Sequence, residues 1–337
     1  MKRKGITCAG SMIVDYVKTI DKFPALGELA NISDVRPSVG GLVSNCGIDL
    51  KKIDPTLPVG AIGCIGDDAA GEYLRREYEA AGIDTAGIKV RPGVPTGFTD
   101  VMSLPSGERT FFTAMGANGL FSPADIDLGS LKSRILHIGY ILLLDAFDAA
   151  DADYGTVLAR FLAEARRTGL KISADVVSSA NGDYPGKVRP VLPYCDYIIF
   201  NELECCRTWN LSPEKDGRPD PAAIRAAMEL TLQAGVKEKV IVHCKEAGFV
   251  LDRSGAFTCV PSLAIPAEEI RGSVGAGDAF CAGALYALYQ GWDDEALLEF
   301  ASAAAACNLF AANAVDGMRS EEGIREIMAR YPRRNFN

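Results

Sequence analysis

The stretch RGSVGAGDAFCAG, residues 271–283, places three glycines and an acidic residue before an apolar, helix-forming segment. It predicts a helix that begins at Gly275, Ala276 and Gly277, where backbone N–H groups lack partners and the peptide dipoles leave a partial positive charge. Such a helix start suits a phosphate or a developing oxyanion, and glycines let the anion approach the backbone. Asp278 would then accept a proton from a hydroxyl nucleophile. Alternatively, Asp278 only complements the helix dipole within a tight turn.

A second candidate site is NELECC, residues 201–206, directly after the strand-like segment DYIIF. Asn201 and Glu204 are three residues apart, so on a helical turn they face the same side. They could form a capping box, with Asn201 as the N-cap. They could also hold a hydrated Mg²⁺ near phosphates at the carboxyl end of a parallel strand. The spacing alone leaves both interpretations open.

A third candidate is SVGGLVSN, residues 38–45, in which Gly40 and Gly41 lead into a helix and Asn45 lies one turn inside it. The two glycines allow a close backbone approach to a polyhydroxylated ligand, although a plain turn between strand and helix explains them equally well. Asp15 ends an apolar strand-like segment. A carboxylate in that position needs partners, and sugar hydroxyls would supply them.

The elements that must position these residues alternate between strand and helix patterns from about residue 58 onward. This alternation predicts an α/β fold, with a mainly parallel central sheet and helices on both of its faces. Residues 11–39 and 96–114 break the alternation with strand-like segments joined by turns. We expect these two insertions to form a small antiparallel sheet that acts as a lid. The whole chain, residues 1–337, is expected to be a single domain.

Composition excludes several classes of function. The 337 residues carry 35 Lys and Arg against 44 Asp and Glu, a net charge of −9 without a basic cluster, which disfavours a nucleic-acid partner or an anionic membrane surface. We expect no membrane span. The ten cysteines lie mostly in apolar segments, which indicates reduced core thiols, no structural zinc or disulfides, and a cytoplasmic protein.

Taken in order, these motifs resemble the ribokinase-like, or PfkB, family of carbohydrate kinases. The resemblance spans nearly the whole chain. Its parts are GGLVSNCGIDL with GAIGCIGDDAAGEYL at 60–74, PSGERTFFTAMGAN at 105–118, NELE, and the segment 272–278.

The resemblance implies a role for each candidate. Asp278 would be the catalytic base, and Gly275, Ala276 and Gly277 the anion hole. Asn201 and Glu204 would organise Mg²⁺ through water, while His243 and Gly248 would lie near ATP. The residues that would grip the sugar are Asp15, Gly40, Gly41 and Asn45.

The implied activity is transfer of the γ-phosphoryl group of ATP to a primary hydroxyl of a sugar or sugar acid, such as fructose, ribose or 2-keto-3-deoxygluconate. A nucleoside kinase of the same fold and a catalytically weak sugar or nucleotide sensor are the alternatives. The resemblance further implies a homodimer formed through the lid. Several family members bind a monovalent cation such as K⁺, but this chain has Gly272 and Ser273 where the family pattern has Asp-Thr, so K⁺ dependence stays open.

Overall fold

The computed structural model describes residues 3–104, 108–215 and 217–336. Residues 105–107, which belong to the predicted lid segment 96–114 and to the motif at 105–118, lie outside the described residues.

The strands are numbered in chain order. They are β1 (Ile6–Gly10), β2 (Ile13–Ile20), β3 (Ile32–Gly40), β4 (Val59–Gly66), β5 (Asp84–Arg91), β6 (Gly97–Ser103), β7 (Arg109–Ala114), β8 (Ile135–Ile141), β9 (Ala150–Asp151), β10 (Gly155–Thr156), β11 (Lys171–Val176), β12 (Tyr197–Asn201), β13 (Glu214–Lys215), β14 (Arg218–Pro219), β15 (Lys239–His243), β16 (Ala247–Asp252) and β17 (Phe257–Pro261).

The α-helices are numbered in the same way. They are α1 (Leu42–Ile53), α2 (Ala69–Ala80), α3 (Val157–Arg167), α4 (Tyr184–Val188), α5 (Glu202–Thr208), α6 (Pro221–Gln233), α7 (Ala276–Gln290), α8 (Asp294–Asn308) and α9 (Glu321–Arg330).

The central sheet has nine strands in the order β17-β16-β15-β12-β11-β8-β1-β4-β5. The pairings from β15 to β5 are parallel, whereas β16 and β17 continue the edge as an antiparallel hairpin extension. The strand sequences are nearly continuous apolar runs, as expected where both faces of a parallel sheet are covered. The predicted fold class is therefore confirmed.

Two apolar cores flank this sheet because successive side chains of a strand point to opposite faces. One core packs the sheet against α1, α2, α7, α8 and α9, and the other packs it against α3, α4, α5 and α6. In β1, for example, Cys8 belongs to the first core and Ala9 to the second. No helix within the described ranges is both long and apolar enough to cross a membrane.

The two segments that interrupt the strand–helix alternation form a separate sheet in the order β3-β2-β6-β7. Its outer pairings, β2 with β3 and β6 with β7, are antiparallel hairpins. The central pairing of β2 with β6 is parallel, because these strands come from the two different insertions and run in the same direction. The name "lid sheet" is used below for these four strands, and its closing movement stays a prediction.

Helix α7 packs tightly against α8. A Cβ atom at Gly283 would lie 2.9 Å from the Cα atom of Ala301, so glycine permits the close approach of the two helices. Every residue from Ala279 to Leu288 is buried. The beginning of α7 adjoins the carboxyl ends of β8, β11, β12 and β15, since Gly275, Gly277 and Asp278 line one cavity with residues from those strand ends. Ligand sites of open parallel sheets occur at this edge.

Candidate active site

The start of α7 carries the candidate base. Gly275 is the N-cap, with a φ of 79° in the left-handed region, and a Cβ atom there would lie 2.6 Å from the Cβ of Ala314. Glycine is therefore required both by backbone conformation and by space. Ala276, Gly277 and Asp278 form the first helical turn, whose backbone N–H groups have no earlier carbonyl within the helix. This turn can bind an anion next to the Asp278 carboxylate.

The two oxygens of Asp278 have different partners. Asn45 Nδ2 donates to Oδ2 over 2.9 Å, and the hydroxyl of Tyr140 donates to Oδ1 over 2.6 Å. Burial raises the pKa of Asp278 above its ordinary range, and the hydrogen bonds from Tyr140 and Asn45 work in the opposite direction. Both donors favour the ionised carboxylate, which is the form that can accept a proton.

Asp15 lies on the lid-sheet strand β2, close enough to Asp278 for the two carboxylates to repel one another. Burial, followed by the charge of Asp278, raises the pKa of Asp15 to about 7. The Asp15 carboxylate lies directly over Gly40, where a Cβ atom would collide with it. Gly41 is the N-cap of α1 at a φ of 83°, and a Cβ there would lie 2.6 Å from the backbone oxygen of Ser11. Both glycines thus have a steric reason to be glycine.

Asn201 and Glu204 form the capping box of α5. Glu204 N–H donates to Asn201 Oδ1, and Asn201 N–H donates to Glu204 Oε2, each over 2.8 Å. The same side chains line a cavity of about 180 Å³ together with Asp278, so capping and ligand contact are compatible. Ser178 also donates from its hydroxyl to Glu204 Oε1 over 2.8 Å.

A group of acidic side chains faces this cavity. Asp175, at the end of β11, lines it with Glu204 and Asp278. Burial and the neighbouring charges raise the pKa of Asp175 well above its ordinary range, and burial raises the pKa of Glu204 to about 7. Buried carboxylates that repel one another suit a divalent cation, because its charge would relieve the repulsion. The donors are all oxygens, which is what Mg²⁺ prefers.

His243 and Gly248 lie opposite each other in the β15–β16 pairing. His243 lines the cavity and packs against Phe280 with the ring centroids 4.8 Å apart and the rings tilted by 36°. Burial lowers its pKa to about 4, so it is neutral at pH 7. Gly248 is buried, and a Cβ there would lie 3.0 Å from the side chain of Leu298. The structure thus brings His243 to the cavity, while Gly248 packs against the α7–α8 pair.

Three polar residues of the site were not predicted from the sequence. They are Tyr140, Asp175 and Ser178, which end or follow the strands β8 and β11. Asp175 gave a usable signal, since it is a carboxylate at the end of an apolar strand, as Asp15 is. Tyr140 and Ser178 gave no such signal, because neither residue type is unusual at a strand end.

Comparisons with known proteins identify related kinases. A family model described as pfkB family carbohydrate kinase matches residues 3–320. The chain is 25% identical over 334 residues to 5-dehydro-2-deoxygluconokinase of Clostridium perfringens, covering 97% of this chain and 94% of the relative. It is 26% identical over 266 residues to adenosine kinase of Schizosaccharomyces pombe, covering 75% and 74%.

Solved structures give the same fold. A ribokinase of Thermotoga maritima aligns over 97% of this chain and 99% of its own, with a TM-score of 0.79 and 21% identity. A structure named as a ribokinase II of Escherichia coli, in complex with ATP and Mg²⁺, aligns over the same shares with a TM-score of 0.75 and 21% identity.

Proposed function

The chain belongs to the pfkB family of carbohydrate kinases, and on that premise we propose that it transfers the γ-phosphoryl group of ATP to a primary hydroxyl of a sugar or sugar acid. The observation that carries the proposal is the position of Asp278. Its carboxylate is held by Asn45 and Tyr140 in the first turn of α7, beside a helix start that can bind an anion.

In the proposed reaction, the sugar hydroxyl lies against Asp278 and loses its proton to that carboxylate as its oxygen bonds to the γ-phosphorus. The bond from the γ-phosphorus to the bridging oxygen breaks, and ADP leaves. Asp15, Asn45, Gly40 and Gly41 contact the sugar on the side of the lid sheet. The partly buried carboxylate of Asp15 would gain hydrogen-bond donors from sugar hydroxyls.

The phosphate side of the site is supported by two features. The backbone N–H groups of Gly275 and Gly277 would donate hydrogen bonds to the charged oxygens of the transferred group. Ala276, the third predicted member of the anion hole, has its N–H directed to the backbone oxygen of Ser273 over 3.2 Å and would turn to the phosphate only by exchanging that partner. Glu204 and Asp175, with Asn201 beside them, would hold Mg²⁺ through water, and the ion supplies neutralisation of phosphate charge when it is bound. His243 would lie near the nucleotide. Gly248 would contribute by letting that strand pack closely rather than by touching ATP.

The choice of acceptor rests on the relatives. The match to 5-dehydro-2-deoxygluconokinase extends over nearly the full length of both chains, which favours a keto-deoxy sugar acid or related hexose derivative. The match to adenosine kinase, shorter in coverage but similar in identity, favours a nucleoside as the second candidate.

A substrate panel tests the proposal. We would measure ADP release from ATP and Mg²⁺ with 5-dehydro-2-deoxygluconate, 2-keto-3-deoxygluconate, fructose, ribose and adenosine. Saturable ADP release with a sugar or sugar acid is the expected result. Turnover confined to adenosine would identify the nucleoside kinase, and saturable binding of a ligand without any ADP release would identify a sensor.

The lid sheet supports the proposal of a homodimer. Large apolar side chains are exposed on its strands and on the turn between β2 and β3. In a monomer these side chains would be in contact with water. Exposed apolar groups of this kind mark interaction sites, and dimerisation would also cover the unpaired edges of β3 and β7. The residues are Phe23, Leu26, Leu29, Ile32, Val35, Phe111 and Phe112.

We also propose a cytoplasmic location. All ten cysteines are free, and nine of them are buried. Thiols in this state agree with a reducing compartment.

A further inference from the structure

Three buried side chains from distant parts of the chain meet behind the catalytic turn. Cys46 is on α1, His137 is on β8 and Cys281 is on α7, and none of the three is exposed to solvent. The two Sγ atoms and a ring nitrogen of His137 all lie within 4.8 Å of one another. Cys281 Sγ lies 3.4 Å from His137 Nε2. Two thiols and an imidazole therefore converge on one point.

The orientation of the His137 ring is suitable for binding a metal ion through one of its nitrogens. Its Nδ1 atom lies 3.0 Å from the hydroxyl of Ser173, the residue beside it on β11. With a proton on Nδ1 donated to Ser173, the lone pair of Nε2 faces Cys281. Metal-bound histidines are held in this way by a partner on the second nitrogen. Burial lowers the pKa of His137 to about 3, which keeps the ring neutral as a ligand must be.

The spacing also fits an ion. Zinc–sulfur and zinc–nitrogen bonds of about 2.3 and 2.0 Å put neighbouring ligand atoms roughly 3.4 to 4 Å apart. The contact between Cys281 and His137 already has this length, and Cys46 needs at most a small side-chain shift. Sulfur and imidazole donors select Zn²⁺ and similar soft cations over Mg²⁺.

We propose that Cys46, His137 and Cys281 form a binding site for a soft divalent cation such as Zn²⁺, which joins α1 to α7 behind Asp278. Two thiolates, one neutral imidazole and one divalent ion sum to zero charge, which is the arrangement that a dry interior tolerates. The sulfur–hydrogen bonds of Cys46 and Cys281 break, two metal–sulfur bonds form, and two protons leave to solvent.

Protons must be released because both thiols are neutral without the ion. A hydrogen bond to Cys281 and then burial raise the pKa of Cys46 well above its ordinary range, and burial raises the pKa of Cys281 to about 12. Binding should therefore weaken as the pH falls. The sequence-based expectation of no structural zinc came from the position of most cysteines in apolar segments, whereas these ligands are brought together only by the fold.

The site lies next to the proposed catalytic machinery without sharing its ligands. Cys46 follows Asn45 in α1, and its Sγ atom lies 3.7 Å from the backbone oxygen of Asp278. Cys281 is one turn beyond Asp278. The site and the kinase activity can be tested separately, because metal binding has spectroscopic and thermal readouts that need no substrate.

Cd²⁺ is the probe, since its thiolate complexes absorb in the ultraviolet. The parent protein carries Cys259→Ser, which removes the exposed thiol. We expect one Cd²⁺ per reduced, full-length chain, release of about two protons per ion, and a rise in the thermal unfolding midpoint. Cys46→Ala and Cys281→Ala should each abolish the absorption, and Ser173→Ala should weaken binding by roughly 10- to 100-fold through the freed imidazole. Cys195→Ala, a buried thiol elsewhere, should change none of these.

Each opposite result overturns the site. Absorption that survives in the Cys46→Ala/Cys281→Ala double variant would place Cd²⁺ on other thiols. A fall in the unfolding midpoint would mean that Cd²⁺ prefers unfolded chains. If circular dichroism shows that one of the two cysteine variants is unfolded, the remaining cysteine variant and Ser173→Ala provide the test. Unchanged Cd²⁺ affinity in both of these variants would contradict the proposal.

Discussion

The hydroxyl of Tyr140 lies 2.6 Å from Oδ1 of Asp278 and donates a hydrogen bond to it. Asn45 holds the other oxygen, so the carboxylate is oriented from two sides by groups on β8 and α1. Each oxygen keeps a further acceptor position for a substrate proton. Tyr140 and Asn45 thus orient the proposed base, whereas Asp278 itself would accept the proton. Each role can be tested by its own substitution.

Asp278→Asn removes the proposed base while keeping the shape of the side chain. We expect kcat to fall by about 100-fold or more, the usual contribution of general-base catalysis, with little change in the thermal unfolding midpoint. Asp153→Asn, at an exposed position, is the control. Near-normal turnover in the folded Asp278→Asn protein would show that another group accepts the proton.

Tyr140→Phe removes one hydrogen bond to the carboxylate. Because that bond favours the ionised form, its loss raises the pKa of Asp278. A hydrogen bond to a charged group contributes about 1.5 to 3 kcal/mol. The acidic limb of kcat/KM against pH should therefore move to higher pH. Tyr154→Phe, far from the site, should leave the limb in place, and an unmoved limb in Tyr140→Phe would contradict the contact.

Asp49 in α1 is fully buried, and neither carboxylate oxygen has a hydrogen-bond partner among the described residues. Burial, then repulsion by Asp278, raises its pKa well above the ordinary range. The folded protein therefore binds this proton more tightly than the unfolded chain, so Asp49 costs stability increasingly as the pH rises above about 4.

Asp49→Ala should consequently increase the free energy of unfolding in urea by about 1 to 3 kcal/mol at pH 8, the cost of an unpaired buried polar group. The increase should be smaller at pH 5. Asp34→Ala, at an exposed lid position, serves as the comparison. A loss of stability at pH 8 would mean that the Asp49 carboxylate makes a favourable contact.

A dimer through the lid sheet should dissociate when charge is introduced there. Val35→Asp and Phe112→Asp place a carboxylate on exposed apolar positions of β3 and β7. We expect light scattering to report a dimer for the wild type and a monomer for these variants, because desolvating an unpaired charge opposes association. Leu230→Asp, on α6 away from the lid, should remain dimeric. A monomeric wild type would rule out the proposed assembly.

Activation by K⁺ should be absent. The position of the family's leading aspartate is Gly272, and a Cβ there would lie 2.9 Å from the backbone oxygen of Ala311, so no carboxylate side chain fits without movement. We expect the same turnover in K⁺ and Na⁺ salts of equal ionic strength. Clear activation by K⁺ over Na⁺ would mean that backbone oxygens alone suffice for the ion.

The sequence predicted the fold because an alternation of apolar strands and helices is compatible with few chain topologies. The resemblance placed Asp278, Asn201 and Glu204 in one site; all three line the same cavity, and their roles stay predictions. The parallel pairing of β2 with β6 could not be predicted from the sequence, because each insertion on its own resembles an antiparallel hairpin. The convergence of Cys46, His137 and Cys281 was equally hidden, as no local pattern links residues so far apart in the chain.

The burial of α7 limits which amino-acid substitutions the protein can accept. Ten consecutive residues after Asp278 are enclosed by protein, so almost any substitution there disturbs packing and the base together. The lid sheet, by contrast, carries many exposed side chains, and its residue Asp15 is a proposed contact of the acceptor. New acceptor preferences should therefore arise by exchange of lid residues while the catalytic helix is inherited unchanged.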